Sequence, residues 1–202
     1  MTFISLEGVD GSGKSTQAKL LAGALGPETT LIREPGGTDA AERIRELLAD
    51  PALELDSFAE LLLFSAARAD LLARVVRPAL EEGGTVVADR FADSSVAYQG
   101  GARGLGTSHV LSLVDQTIDG LWPDLTIYLK IDPEAGLARA DGEDRFEAEG
   151  LELQRAVAEA YDEIAIIASD RVVTVDAEGT VEEVHARVMA AVQSHPGSAV
   201  EV

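Results

Sequence analysis

The stretch "FISLEGVDGSGKSTQAKLL", residues 3–21, constrains the fold more than any other part of the chain. Its apolar opening reads as a buried strand, its glycines as a tight turn, and the pattern after Lys14 as a helix. Gly8-Val-Asp-Gly-Ser-Gly13-Lys14-Ser15 fits G-x-x-x-x-G-K-[ST], whose backbone N–H groups and helix N-terminus make an anion cradle. A glycine turn of purely structural meaning is the simpler reading, but the flanking strand and helix favour nucleotide binding. The candidate contacts to a nucleoside triphosphate are Gly8, Val9, Asp10, Gly11, Ser12, Gly13, Lys14, Ser15 and Thr16. Lys14 would bridge the β- and γ-phosphates, and the Ser15 hydroxyl would ligate Mg²⁺. Asp10 is out of place in an anion cradle, and the loop's own glycines and serine supply no positive charge.

Beyond this loop, short apolar runs alternate with helical patterns. Residues 2–8, 29–34, 85–90, 124–132 and 171–177 read as strands. The first helix should end at Gly26-Pro27. Ser57-Phe-Ala-Glu60 has the form of a capping box opening a long helix to Glu82, closed by Gly83-Gly84. Asp132-Pro133 and Thr180 to Glu183 mark two further helix starts. The expected class is therefore α/β, a parallel sheet covered on both faces.

The chain has 202 residues, 46% of them hydrophobic, which suits one domain over 1–202 with a frayed tail at 195–202. No apolar run reaches about 20 residues, and no leader pattern opens the chain, so a cytoplasmic protein is expected. Cysteine is absent, excluding disulfides and thiolate metal sites. The three histidines lack metal-ligand spacing. A net charge of −20 argues against nucleic acid and anionic membranes as partners. It leaves room for small anions bound by clustered arginines, of which there are thirteen against three lysines.

The third strand ends "VVADR", which puts Asp89 where a second acid can hold Mg²⁺, unless it is only a strand-end cap. No N-K-x-D follows, so a GTPase switch is not expected. Phe64 and Arg68 are four apart on one helix face and could stack on a base and bond its edge. On spacing alone, a core phenylalanine and a surface arginine is the better reading. Arg90 follows the metal acid and could pair with a phosphate. Ser94 and Tyr98 share a helical face beyond the strand's carboxyl end, as do Ser95 and Gln99.

Together these residues resemble the thymidylate kinases, which phosphorylate dTMP to dTDP with ATP. The resemblance covers nearly the whole chain. It is carried by "EGVDGSGKST", "REPGGT", "LLLFSAAR", "DRFADSSVAYQGGARG", "PDLTIYLKIDPEAGLARA" and "DRFE". It implies a P-loop nucleoside monophosphate kinase fold: five parallel strands in the order 2-3-1-4-5, flanked by helices, with a short lid. It implies that Phe64 stacks on thymine and Arg68 meets the base edge. Ser94 and Ser95 join the network around base and phosphate, Gln99 is a substrate-binding residue, Tyr98 excludes ribose, and Arg90 holds the dTMP phosphate. The Glu34-Pro35-Gly36 loop lies beside that phosphate with a cis Glu34–Pro35 bond. Asp10 bonds the sugar 3′-OH or helps to hold Mg²⁺. Arg103 matches a family arginine. A homodimer is also implied.

Some members of the family carry an arginine in the phosphate loop where this chain has Gly11. Members lacking it place arginine in the lid, here residues 140–150, "ADGEDRFEAEG". Read without the family, that segment is a solvated acidic loop. The resemblance makes Arg145 the catalytic lid arginine, with Arg139 near adenine or sharing its role. A kinase for dUMP or a deoxynucleoside, and an ATP-sensing module, are the competing functions.

Overall fold

The computed structural model describes residues 2–139 and 150–195. Its five strands are β1 (Thr2–Glu7), β2 (Thr29–Arg33), β3 (Thr85–Asp89), β4 (Leu125–Lys130) and β5 (Val172–Asp176). They form one parallel sheet in the order β2-β3-β1-β4-β5. The central strand β1 is buried along its whole length, on both faces of the sheet, its polar Thr2, Ser5 and Glu7 included.

The handedness of parallel crossovers distributes the helices. From β1, α1 (Lys14–Leu25) carries the chain outward to the edge strand β2. Every later crossover runs the opposite way across the sheet, so its helices cover the opposite face. These are α2 (Asp39–Ala49), α3 (Ser57–Leu71), α4 (Arg77–Glu81), α5 (Ala92–Ser95), α6 (Thr107–Ile118), α7 (Pro133–Leu137) and α8 (Gly150–Ile167). The final helix, α9 (Val181–Ser194), returns beside α1.

Two π-helical segments interrupt the second group. Leu72–Val76 joins α3 to α4, so the expected long helix from residue 57 is one continuous helical run ending before Gly83. Val96–Ala102 continues α5 and packs between α6 and α8. A π segment shifts side chains out of ordinary helical register and is common at functional sites; this one carries Tyr98 and Gln99.

The capping box expected at Ser57 does not form. Asp56 caps α3 instead, accepting from the N–H groups of Phe58 and Ala59. Glu60 turns inward, 1% exposed, to Gln99 and Arg103. Buried charge-assisted bonds outweigh a surface cap that a neighbouring aspartate already supplies. The starts at Asp132 and Thr180 are as expected, the latter a complete capping box.

Two backbone bonds prolong the ladder past the strand ends. Arg90 N–H donates to the Leu6 carbonyl at 3.0 Å, and Glu34 N–H to the Asp89 carbonyl at 3.0 Å. They draw the segments after β1, β2 and β3 together at the carboxyl edge of the sheet, where such sheets bind ligands. Arg145 and most of the expected lid lie outside the described residues, as does the tail from 196. Among the described residues, no helix is long and apolar enough to cross a membrane.

Candidate active site

The loop from Gly8 to Gly13 joins β1 to α1. Gly13 is left-handed (φ 90°), and no side chain caps the helix, so its first N–H groups stay available to an anion. Asp10 through Gln17 line a cleft of about 560 Å³ with Asp89, Arg139 and the Gly179–Val181 turn. Gly8 and Val9, expected as contacts, do not line the cleft. The Lys14 ammonium donates to the Val9 carbonyl at 2.6 Å and to Ser12 Oγ at 3.3 Å. Burial is the main cause that brings its pKa down to about 8.

Two glycines of the loop are dictated by close approach. A Cβ on Gly8 would come 2.6 Å from the Leu129 carbonyl oxygen. A Cβ on Gly11 would lie 1.9 Å from the Gly136 carbonyl oxygen, and Gly11 also sits at φ +71°. Position 11 therefore has no room for an arginine: the end of α7, at Gly136, is packed against it.

Ser15 and Asp89 line the same cleft from a helix start and a strand end. Among the described residues, no group of three or more His, Cys, Asp or Glu could hold a metal by itself. One hydroxyl and one carboxylate fit Mg²⁺, which takes few protein ligands and completes its shell with water and phosphate oxygens.

Arg90 is the hub of the acceptor side. Its backbone is left-handed (φ 68°), unusual for a residue with a side chain. Nη1 donates to the Gly8 carbonyl at 3.1 Å and to Ser94 Oγ at 3.2 Å. Nη2 donates to Asp10 Oδ1 and to the Tyr98 hydroxyl, and the guanidinium lies over the Tyr98 ring. Asp10 is gripped from the other side by Gln154 of α8, whose amide donates to Oδ2 at 2.7 Å and accepts from the Asp10 N–H at 3.0 Å. Burial pushes the Asp10 carboxyl up, but Arg90, Lys14 and these bonds together hold it below the usual range.

A second cavity adjoins the first. Asp10, Glu34, Pro35, Phe64, Arg90, Ser94, Ser95, Tyr98 and Gln99 line it, joined by Arg45, Leu48 and Ala49 of α2. Thus the structure brings nearly all the expected acceptor residues around one space, and the Glu34–Pro35 bond is cis. Arg68 stands one layer behind the lining. Its Nε donates to Glu34 at 2.8 Å and its Nη2 to Ser95 Oγ at 3.1 Å, while the buried Nη1 has no partner among the described residues. Gly36 is not in the wall; its φ of +141° turns the loop, and a Cβ there would meet Glu42 at 2.5 Å. Arg103 is bound to Glu60 across the interface with α3.

Sequence reasoning missed Arg45, Gln154 and Glu7. Arg45 had a signal: it stands four residues after Ala41 and three before Leu48, so it is a cation within the buried stripe of α2. Gln154 likewise interrupts the buried face of α8. Glu7, the last residue of β1, is 0% exposed. It accepts from Phe91 N–H at 2.7 Å, Ser94 Oγ at 2.6 Å and the Tyr161 hydroxyl at 2.7 Å.

Burial, then Asp93, raises the Glu7 pKa from 4.5 to about 7 against the opposing pull of Ser94, Arg90 and Tyr161. A carboxyl with a raised folded-state pKa binds its proton more readily folded than unfolded, so its contribution to stability falls as pH rises from about 4.5 to about 7. The melting temperature of Glu7→Gln is expected to gain on that of the parent across this window and to hold level above it. A difference independent of pH, in calorimetric scans from pH 5 to pH 8, would contradict this assignment.

A glycine-rich phosphate loop beside a hydroxyl and a carboxylate, with an aromatic and cationic cavity sharing its wall, defines a P-loop nucleoside monophosphate kinase. Sequence comparison narrows the class: the family model for thymidylate kinase matches residues 6–188. The chain belongs to the thymidylate kinase family. It is 47% identical over 188 residues to the thymidylate kinase of Symbiobacterium thermophilum, covering 90% of this chain and 88% of that one. It is 44% identical over 195 residues to that of Halothermothrix orenii, covering 92% and 93%. A crystal structure of thymidylate kinase from Ehrlichia chaffeensis superposes with a TM-score of 0.80 at 34% identity, over 95% of this chain and 98% of that one.

Proposed function

We propose that this chain transfers the γ-phosphoryl group of ATP to the phosphate of dTMP, giving ADP and dTDP. The observation that carries the reading is the shared wall: Asp10, Glu34, Arg45 and Arg90 border both cavities. Donor and acceptor phosphates would meet there, across the Arg90 guanidinium. An oxygen of the dTMP phosphate attacks the γ-phosphorus, and the bond from that phosphorus to the β–γ bridging oxygen breaks. The attacking oxygen is already ionised, so no general base is required. Catalysis is positioning and charge neutralisation.

In this reading the loop from Gly11 to Thr16 cradles the ATP phosphates, and Lys14 leaves the Val9 carbonyl for the β- and γ-oxygens. Ser15 and Asp89 would hold Mg²⁺, which neutralises charge on those same phosphates. Phe64 stacks on thymine, Gln99 reads its edge, and Ser94 and Ser95 complete the network, while Arg68, expected at the base edge, stands behind them and holds Glu34 and Ser95 in place. Tyr98, fixed by Arg90 and Asp10, crowds the sugar 2′ position. Asp10 is held by three side chains, which supports an orienting role and none as a base. Arg139 faces the phosphates; Arg145 is assigned to the transferring group by family likeness and its place in the sequence.

A homodimer is part of the proposal. Phe58, Leu62 and Leu111 leave 40%, 47% and 39% of their surface exposed on α3 and α6, with Phe58 stacked on His109. An apolar face of this kind suits burial against a second copy. A cytoplasmic setting suits the substrates.

The test is a coupled phosphotransfer assay with Mg²⁺-ATP over a panel of nucleoside monophosphates. The highest kcat/KM is expected for dTMP, dUMP should be weaker, and ribonucleotides weaker still. ATP turnover that does not depend on any monophosphate would overturn the kinase reading in favour of an ATP-sensing module.

A further inference from the structure

Behind the acceptor cavity a buried carboxylate, Glu60, which none of the roles above employs, holds the Gln99 amide that reads the base. Gln99 and Glu60 are each 1% exposed. Gln99 Nε2 donates to Glu60 Oε1 at 2.8 Å. Arg103 grips the same carboxylate with two nitrogens, Nε to Oε1 at 3.2 Å and Nη2 to Oε2 at 3.2 Å. Glu60 comes from α3, whereas Gln99 and Arg103 belong to the π-helical stretch and its end.

An amide side chain can point either its oxygen or its NH₂ at a neighbour, and only the neighbour's chemistry decides which. An ion-paired carboxylate has no proton to give. Were the Gln99 amide reversed, two acceptor oxygens would face each other at hydrogen-bond distance in a buried place. The NH₂ group is therefore committed to Glu60, and the amide oxygen is the end left for the cavity that Gln99 lines.

We propose that Glu60, clamped by Arg103, is a positioning residue that sets base selectivity by holding the Gln99 amide with its acceptor toward the pocket. The inference rests on the reading of this cavity as a pyrimidine monophosphate site. A fixed acceptor matches a base whose ring nitrogen carries a hydrogen, as in thymine and uracil. Cytosine offers a lone pair at that position and meets a lone pair. Glu60 thus discriminates against cytosine without touching substrate, and Arg103 acts as its counter-ion. The 5-methyl group lies outside this device, which does not separate thymine from uracil.

The experiment compares kcat/KM for dTMP, dUMP and dCMP in the parent and in Glu60→Gln, which keeps the side-chain volume but can donate as well as accept. The dTMP-to-dCMP ratio is expected to fall by roughly 10- to 100-fold, while the dTMP-to-dUMP ratio and the KM for ATP hold. The double variant Glu60→Gln/Gln99→Glu, in which position 99 offers only acceptors and position 60 can donate to it, should regain the preference. It also stands in for the single variant should that one not fold. An equal loss for dTMP and dCMP in Glu60→Gln, or a double variant without selectivity, would overturn the proposal and mark Glu60 as a packing element only. A parent enzyme that phosphorylates no monophosphate would instead overturn the underlying reading of the cavity.

Discussion

Arg90→Ala is expected to lower kcat/KM for dTMP by roughly 10³-fold or more, with the KM for ATP changed far less. Three losses combine. The acceptor phosphate loses a guanidinium that can donate two parallel bonds, the strongest kind of phosphate contact a side chain makes. Asp10 loses the cation that, after burial itself, most affects its ionisation, so a mostly buried carboxylate is left beside incoming phosphates. Tyr98 and Ser94 lose a shared donor, which loosens the wall around the sugar. Arg90→Lys should recover little, because an ammonium cannot span Gly8, Ser94, Asp10 and Tyr98 from one planar fork. Steady-state kinetics in both substrates, with a melting scan to show that the variants fold, decide the matter. A tenfold effect or smaller would mean that the acceptor phosphate is held elsewhere, with Arg45 the next cation along the wall.

Much of this site could be read from the sequence, and the rest was hidden for identifiable reasons. The phosphate loop and the strands were legible because their signals are local: glycine spacing, β-branched runs, a strand leading into a helix. Ser94, Ser95, Tyr98 and Gln99 could be paired by helical spacing, although the stretch holding the last two is π-helical. Glu60 was misread because its motif was locally correct. A serine followed three residues later by glutamate has the form of a capping box, and only the fold shows Asp56 capping the helix and Gln99 and Arg103 waiting inside. Gln154 and Glu7 were beyond reach for a related reason. Each works through a partner far along the chain, Gln154 through Asp10 and Glu7 through Ser94 and Tyr161, and periodicity records no such pairing. Gly11 was read as an omission, and the steric reason for a glycine there lies in Gly136, 125 positions away by number, whose carbonyl occupies the space a side chain would need.

That steric fact turns the missing loop arginine into a prediction about where the charge originates. Arginine at position 11 would have to displace the Gly136 carbonyl and accept a left-handed backbone, so beyond Lys14 the phosphate loop has no room for a second cation at the transferring phosphoryl group. Arg139, three residues beyond Gly136, borders the phosphate cleft. Arg145 lies outside the described residues, and its assignment rests on the sequence. Arg145→Ala is expected to lower kcat by roughly 10³-fold with dTMP affinity near that of the parent, the pattern of an interaction made in the transition state and not in the ground state. Arg139→Ala should cost less in kcat and more in the KM for ATP. Adding Gly11→Arg to Arg145→Ala should give no rescue and a lower melting temperature, because the new side chain must first break the contact between the loop and α7. Near-native turnover in Arg145→Ala would transfer the role to Arg139. Rescue by Gly11→Arg would show that the loop and α7 can separate, and that Gly11 is not held free of a side chain by packing.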